Sequence, residues 1–135
     1  INDESCTNHF LQWAMIDALT GDDSGTRYIL SKLKNRRDAA VECLNAIEGI
    51  RVPTPESTFY LFPNVTAVLD RKDIPDVEQF RKKALVETGV SFCTRDHFGR
   101  SLPGEKDHFI RLAYSGIGTD VIREGLDKFK DWIES

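Results

Sequence analysis

Cysteine is scarce in this 135-residue chain, and its three cysteines stand far apart at Cys6, Cys43 and Cys93. An odd number at such spacing excludes the framework of a disulfide-stapled domain and the close pairs of a zinc knuckle. The sequence therefore predicts reduced thiols in a cytoplasmic protein.

Long apolar runs are also missing, since no stretch approaches the roughly 20 residues that cross a bilayer. The first residues, Ile1 to Cys6, have neither the basic nor the apolar region of a secretion signal. We expect no membrane partner. Because the chain begins with Ile rather than Met, we expect it to be a piece of a longer protein.

An excess of positive charge is absent as well: 18 basic residues stand against 22 acidic ones, and the formal net charge is -4. Binding to nucleic acid depends on clustered Lys and Arg, so we expect no nucleic-acid partner. The basic residues Lys32, Lys34, Arg36 and Arg37 do cluster, but within a helical pattern, which favours a solvated helix face.

What is present is the composition of a globular domain, with 40% apolar and 30% charged residues. Helical periodicity predicts one helix from Phe10 to Leu19, ended by Gly21 in a positive-φ conformation. A second helix is predicted from Ile29 to Ile47, ended at Gly49. We interpret 1–135 as a single domain, with a helical connector and long helix over 1–48 and a sheet-and-helix part over 49–135.

Three short segments are predicted strands: 58–62, 90–93 and 109–113. A helix over 73–88, capped by Gly89, separates the first two strands, and a last helix begins near Thr119 as its N-cap. The predicted class is α+β, a small, mostly antiparallel sheet with helices packed on one face, preceded by a long connecting helix.

Arg111 is the first candidate site residue, because it interrupts the apolar strand 109–113. Alternation places Ile110 and Leu112 on one face and Arg111 on the other. A guanidinium on a rigid strand suits forked recognition of a carboxylate or phosphate. Periodicity alone favours the alternative, an arginine on the solvent face of a half-exposed strand.

The polar loop 94–104 offers a second candidate, an anion site made by Arg95, His97 and Arg100. An ordinary charged surface loop is the alternative. His97 also has the reference pKa of a general base, although no nucleophile can be assigned beside it.

Several segments together resemble class I/II aminotransferases, the fold type I pyridoxal-phosphate enzymes related to aspartate aminotransferase. The resemblance covers essentially the whole chain in family order. Its most specific part is the combination of an aromatic strand, a Phe-Gly loop and an Arg-Leu-Ala-Tyr-Ser strand. The segments that carry it are 5–14, 35–38, 57–62, 98–99 and 110–115.

The resemblance implies a C-terminal small domain in which Arg111 holds the α-carboxylate of the substrate. Phe98 and Gly99 match loop residues that lie beside the substrate, and 5–8 matches a segment near the large domain and the dimer interface. Family loops commonly read Pro-Gly-x-x-Phe-Gly, whereas 94–99 reads Thr-Arg-Asp-His-Phe-Gly. This departure indicates a sub-branch with a different loop shape.

The resemblance also implies pyridoxal 5'-phosphate in the full-length protein, not bound covalently by this chain. The family's cofactor lysine precedes this region, and Lys32 lies inside a predicted helix, so we assign no catalytic residue here. The implied reaction moves an amino group between an amino acid, with aspartate or alanine as candidates, and a 2-oxo acid.

The expected partners are the missing large cofactor domain and a second copy in a homodimer, and the isolated chain is expected to be inactive. The alternative hypothesis is a stand-alone, non-catalytic α+β module that binds a small carboxylate or a protein. A large exposed apolar area on the first helix would favour the fragment, and a closed, polar surface there would favour the module.

Overall fold

A computed structural model describes residues 7–135 of the chain. These residues fall into two compact units, one reaching to Lys32 and the other spanning Leu33–Ser135. Cys6, and Ser5 of the predicted interface segment, lie outside the described residues.

The described part of the chain contains five α-helices, three strands and one 3₁₀ turn. None of these helices is both long enough and apolar enough to cross a membrane. In chain order the elements are α1 (His9–Thr20), α2 (Ser24–Asn45), β1 (Tyr60–Leu61), α3 (Thr66–Arg71), α4 (Val77–Thr88), β2 (Cys93–Thr94), the 3₁₀ turn (Arg95–Phe98), β3 (Ile110–Ala113) and α5 (Thr119–Glu134).

The first unit is helical, and the apolar side chains of α1 are exposed. Phe10, Trp13 and Leu19 keep 68%, 73% and 79% of their surface open. Gly21 ends α1 as predicted, but the predicted positive φ is wrong, because its φ is -77°. Glycine fits there for lack of space, since a Cβ would stand 2.7 Å from the carbonyl oxygen of Asp17.

The second unit is built on a three-stranded antiparallel sheet in the order β1-β3-β2. In the register, Leu61 lies opposite Leu112, and Cys93 lies opposite Arg111. The central strand β3 therefore has neighbours on both sides, which fixes the direction of its side chains.

One face of the sheet, with Leu61 and Ile110, joins the hydrophobic core, which also takes residues from α2, α3, α4 and α5. Phe80 of α4 and Phe129 of α5 are fully buried, and their ring centroids lie 5.9 Å apart. Ile122, Leu126, Phe129 and Ile133 are the buried stripe predicted for the last helix. The α+β class with an antiparallel sheet is confirmed.

Three predicted helix bounds differ from those of the structure, the first being the start of α2, which lies at Ser24 rather than at Ile29. α2 ends at Asn45, four residues before Gly49, and the Asn45 side-chain amide there bonds both the N–H and the carbonyl of Val52 at 3.0 Å. The helix predicted from Asp73 begins at Val77, because Asp73 has a φ of 51°, outside the helical region.

Other local predictions also needed correction. The N-cap of α5 is Gly118 rather than Thr119. The short helix α3 was not predicted; it starts where the N–H of Thr66 donates to the side chain of Asn64 at 2.9 Å. The paired parts of the first two strands are shorter than predicted, two residues each.

The sequence pattern predicts a solvated face for the basic cluster on α2, but the structure shows that this face is only partly solvated. Lys32 and Lys34 are exposed, whereas Arg36 and Arg37 are half-buried. Arg36 donates to the carbonyl of Ser115, and Arg37 donates to the carbonyl of Pro55 at 3.2 Å. These two arginines attach α2 to the segments that lead into β1 and out of β3.

Replacing Gly89 by alanine is expected to destabilise the domain by about 1 kcal/mol, because Gly89 ends α4 with a φ of 74° that an L side chain adopts at a cost. Gly116→Ala is the matched control, since its Cβ meets open space at an ordinary φ. Urea denaturation of both variants measures the difference. Equal midpoints would contradict the assigned role of Gly89.

Part of the loss of folding stability at acid pH is expected to come from Asp76, whose side chain accepts a hydrogen bond from the N–H of Gln79 at 2.7 Å. This bond lowers the pKa of the Asp76 carboxyl. The unfolded chain therefore binds the proton more readily, and the contribution, present above the ordinary pKa of about 4, is lost as the pH falls through the lowered value.

Asp76→Asn should remove this portion of the pH dependence, measured as the urea midpoint from about pH 6 to about pH 3. Asp127→Asn, which removes an exposed carboxylate from α5, serves as the control. An unchanged pH profile in Asp76→Asn would refute the capping role of the charge.

Candidate functional site

Arg111 stands in the middle of the central strand β3, on the face opposite the core residue Ile110. The predicted alternation is confirmed, because Leu112 packs against the core while the Arg111 side chain lies on the other face. Arg111 is half-buried, so its charge is partly removed from water.

Two aromatic rings flank the Arg111 guanidinium. Its Cζ lies 4.2 Å from the ring centroid of Tyr60 and 4.1 Å from that of Phe98. Tyr60 comes from β1 and Phe98 from the turn after β2, which are on opposite sides of β3. Each ring attracts the cation, which offsets part of its desolvation. Rings over the guanidinium leave its N–H groups available at the edge.

A third neighbour of the guanidinium is a thiol rather than a carboxylate. Nη2 of Arg111 lies 4.0 Å from Sγ of Cys93, directly across the strand pair. Within 7–135 no acidic side chain forms an ion pair with Arg111. A half-buried cation without an internal counter-ion favours an anionic ligand.

An open cavity of about 310 Å³ adjoins Arg111, with mostly apolar walls that include Tyr60, Leu61 and Phe62. Thr58, also in its wall, has a φ of 67°, a strained value for a β-branched residue. Strain of this kind persists only where surrounding contacts enforce it, and it concentrates at functional sites.

The strained Thr58 is held by Tyr114, which follows β3 directly. The Tyr114 hydroxyl donates to the carbonyl of Thr58 at 2.8 Å, and its backbone N–H donates to the carbonyl of Phe59 at 3.1 Å. Burial raises the pKa of the Tyr114 hydroxyl, which keeps the proton on this donor. The cavity wall is therefore tied to the strand that carries Arg111.

Phe98 and Gly99, the two loop candidates, lie at the end of the 3₁₀ turn. The Phe98 ring contacts Arg111, as described, while 49% of the residue stays exposed. Gly99 has a φ of 131°, a conformation that side chains disfavour, so glycine suits this position. The structure thus brings Phe98 to Arg111 and gives Gly99 a backbone role.

The anion site predicted from Arg95, His97 and Arg100 is not formed. Arg95 pairs with Glu105 instead, with Nε 3.1 Å from a carboxylate oxygen. Nδ1 of His97 accepts a hydrogen bond from the backbone N–H of Thr94 at 3.0 Å, so this nitrogen is used within the loop. The general-base hypothesis for His97 receives no support from its contacts.

Sequence reasoning missed three residues of the site: Tyr60, Cys93 and Glu105. Tyr60 belongs to the aromatic strand and Cys93 to the next predicted strand, but their contacts with Arg111 depend on strand order and register. For Glu105 the sequence offered one signal, an acidic residue ten positions after Arg95. The two charges become an ion pair only because the loop folds back and brings them together.

No protein-family model matches the chain. Among curated proteins, the asparagine–oxo-acid transaminase of Streptococcus mutans is 30% identical over 125 residues, which is 91% of this chain and 30% of that protein. The aspartate aminotransferase of Sulfurisphaera tokodaii is 32% identical over 130 residues, 96% of this chain and 31% of that protein.

Solved structures agree with these matches. The aspartate aminotransferase from Rhizobium meliloti superposes with a TM-score of 0.82 at 26% identity, covering 98% of this chain and 33% of that one. The chain therefore spans about a third of the length of the proteins it matches. Sequence and fold agree along almost its whole length, and the chain belongs to the fold type I pyridoxal-phosphate-dependent aminotransferases.

Proposed function

We propose that this chain is the C-terminal small domain of an aminotransferase and that Arg111 binds the α-carboxylate of the substrate. The observation that carries the proposal is the guanidinium between Tyr60 and Phe98, which has no internal counter-ion in 7–135. An aminotransferase acts on amino acids and 2-oxo acids, both of which carry this carboxylate.

The geometry favours a carboxylate bound in the plane of the guanidinium. The rings occupy its flanks, so the edge N–H groups are the donors left for a ligand, and two parallel bonds to a carboxylate match them. Because a forked pair fixes direction as well as distance, Arg111 would orient the substrate's Cα relative to groups outside this chain.

The same anchor would serve both halves of an amino-group exchange. The amino acid that enters and the 2-oxo acid that leaves differ at Cα and share the α-carboxylate. The relatives' names specify asparagine and aspartate, and we propose small amino acids of this kind, with alanine as a further candidate. Phe98, half-exposed over Arg111, would exclude water from one side of the bound carboxylate.

Pyridoxal phosphate supplies an electron sink for loss of the proton from Cα when it is bound. The described residues around Arg111 are the two aromatic rings, the thiol and the mostly apolar cavity wall, with no lysine among them to hold the cofactor covalently. Lys32 is exposed on α2, with its Nζ 5.3 Å from the ring centroid of Tyr28. These residues do not make a cofactor site, and we assign this chain only the carboxylate anchor.

We further propose that α1 packs against the rest of a longer protein, including its large cofactor domain, and that the whole protein is a cytoplasmic homodimer. The exposed Phe10, Trp13 and Leu19 support a covered position for α1, since soluble domains seldom leave such a cluster open. The alternative of a stand-alone binding module is not favoured, because the matched relatives are aminotransferases.

Arg111→Lys is expected to raise the KM for the amino acid roughly tenfold in the cofactor-loaded, full-length protein. Lysine keeps the charge but loses one of two charge-assisted hydrogen bonds, each worth about 1.5–3 kcal/mol. Arg111→Gln, which also loses the charge, should raise the KM roughly a hundredfold or more. Steady-state kinetics with the same amino donor measures both effects.

The control for this prediction is an amine that lacks the carboxylate. The amine should react slowly, and at the same rate in the wild type and in Arg111→Gln, because it has no carboxylate for Arg111 to bind in either protein. If the variant slows the amine as much as the amino acid, Arg111 does not bind the carboxylate.

The isolated 135-residue chain is expected to show no transamination when pyridoxal phosphate is added, because its described residues provide no cofactor site. A coupled assay for the 2-oxo acid, with the full-length protein as the positive control, makes the measurement. Turnover by the isolated chain at a rate near that of the full-length protein would overturn the assignment of a non-catalytic domain.

A further inference from the structure

The position of Phe98 needs an explanation beyond burial. About half of the residue is exposed, yet its ring lies 4.1 Å from the Arg111 guanidinium. Phe98 also sits in a loop rather than in a strand. A ring that the core does not enclose keeps such a position only if its backbone is held.

The backbone is held on both sides of Phe98. Before it, the N–H of Thr94 donates to Nδ1 of His97 at 3.0 Å, and the Thr94 hydroxyl contacts the same nitrogen at 2.9 Å. After it, Nη1 of Arg95 donates to the carbonyl of Gly99 at 3.0 Å. The 3₁₀ turn that carries the ring is therefore closed by side chains at each end.

Arg95 makes further bonds that close the longer loop. Its Nη2 donates to the carbonyl of Arg100 at 3.1 Å and to Glu105 at 3.2 Å, while its Nε lies 3.1 Å from the other carboxylate oxygen. Glu105 in turn accepts from the N–H of Leu102 at 2.8 Å. We name this forked pair, with its three backbone bonds, the Arg95–Glu105 latch.

The latch is sheltered and fixed to the sheet. The side chains of Arg95 and Glu105 are only 21% and 19% exposed, so their attraction is screened less than that of a surface pair. The backbone N–H of Arg95 donates to the carbonyl of Phe109, next to the first residue of β3. The latch therefore links the loop to the strand that carries Arg111.

We propose that the Arg95–Glu105 latch positions the Phe98 ring against the Arg111 guanidinium and so sets the direction of its free N–H groups. Arg95 is thus a positioning residue, which acts on the ligand through Phe98 and Arg111. The effect on substrate rests on the proposed function, whereas the effect on the ring does not.

The test uses the full-length protein labelled with ¹³C-arginine. The Hδ protons of Arg111 lie next to the guanidinium between the two rings, and their chemical shift reports the ring currents. Arg111→Lys assigns the signal, and Phe98→Leu gives the shift expected when that ring is lost. Arg95→Ala and Glu105→Ala should each move the signal most of the way to the Phe98→Leu value.

Arg100→Ala is the matched control, because it removes an exposed arginine of the same loop and leaves the backbone carbonyl that Arg95 uses. Its Arg111 signal should stay at the wild-type position. The Arg123 signal, from an exposed arginine paired with Glu42 on another surface, should stay fixed in every variant, which shows that the domain is folded.

A wild-type Arg111 signal in folded Arg95→Ala would overturn the proposal. If Arg95→Ala does not fold, Glu105→Gln gives the decision, since it keeps the shape and the acceptor oxygen but loses the charge. An intermediate shift supports the latch, and an unchanged shift rules out the ion pair as the positioning element.

Kinetics separates this proposal from the proposed function. With the latch broken, the KM for the amino acid should rise about tenfold while kcat changes less, because a misplaced anchor weakens binding. Should the Arg111 Hδ signal move while KM stays constant, the latch positions the ring without affecting substrate binding, and the kinetics of Arg111→Gln decide the proposed function. Should neither change, the latch itself is rejected.

Discussion

The half-buried positive charge of Arg111 is the constraint on which the described site depends. Taking a guanidinium partly out of water is costly unless neighbouring groups compensate, and this one has two rings and a thiol as neighbours. That environment stabilises the cation without neutralising it. The central position in the sheet holds the side chain in place, and the hydrogen-bonded loop completes its surroundings.

Strand β3, which carries Arg111, is supported by the core on one face and by Tyr114 at its end. The core packs against the Leu61 and Ile110 face, so register and side-chain direction in β3 are set together. Tyr114 links the end of β3 to the strained turn at Thr58. Stability and site geometry consequently depend on the same few contacts around one short strand.

The sequence predicted well what periodicity controls. The stripe of α5, the glycine that ends α4 and the alternation around Arg111 all follow from residue spacing. It was less accurate at the ends of α2, where the bonds from the Asn45 side chain to Val52 belong to no periodic pattern. The 3₁₀ turn and α3 were likewise missed, because both depend on local hydrogen bonds rather than on an apolar pattern.

The candidate site divides along the same line. The sequence predicts Arg111, Phe98 and Gly99 as site residues, but only the resemblance to a family favours this role over an ordinary exposed strand and loop. Tyr60 and Glu105 depend on strand register and loop closure, which bring distant positions together and leave no local pattern. The charges of Arg95 and Glu105 were visible in the sequence, yet their pairing was not.

The two arginines of α2 have a mechanical consequence. Arg36 donates a hydrogen bond to the carbonyl of Ser115, just beyond β3, and Arg37 donates one to the carbonyl of Pro55, ahead of β1. Because the start of β1 lies opposite the end of β3, both bonds attach the second half of α2 to the same end of the strand pair that carries Tyr60 and Arg111. A shift of this half of the helix would therefore act on Tyr60 and Arg111 together, because it is hydrogen-bonded to the segments next to both strands.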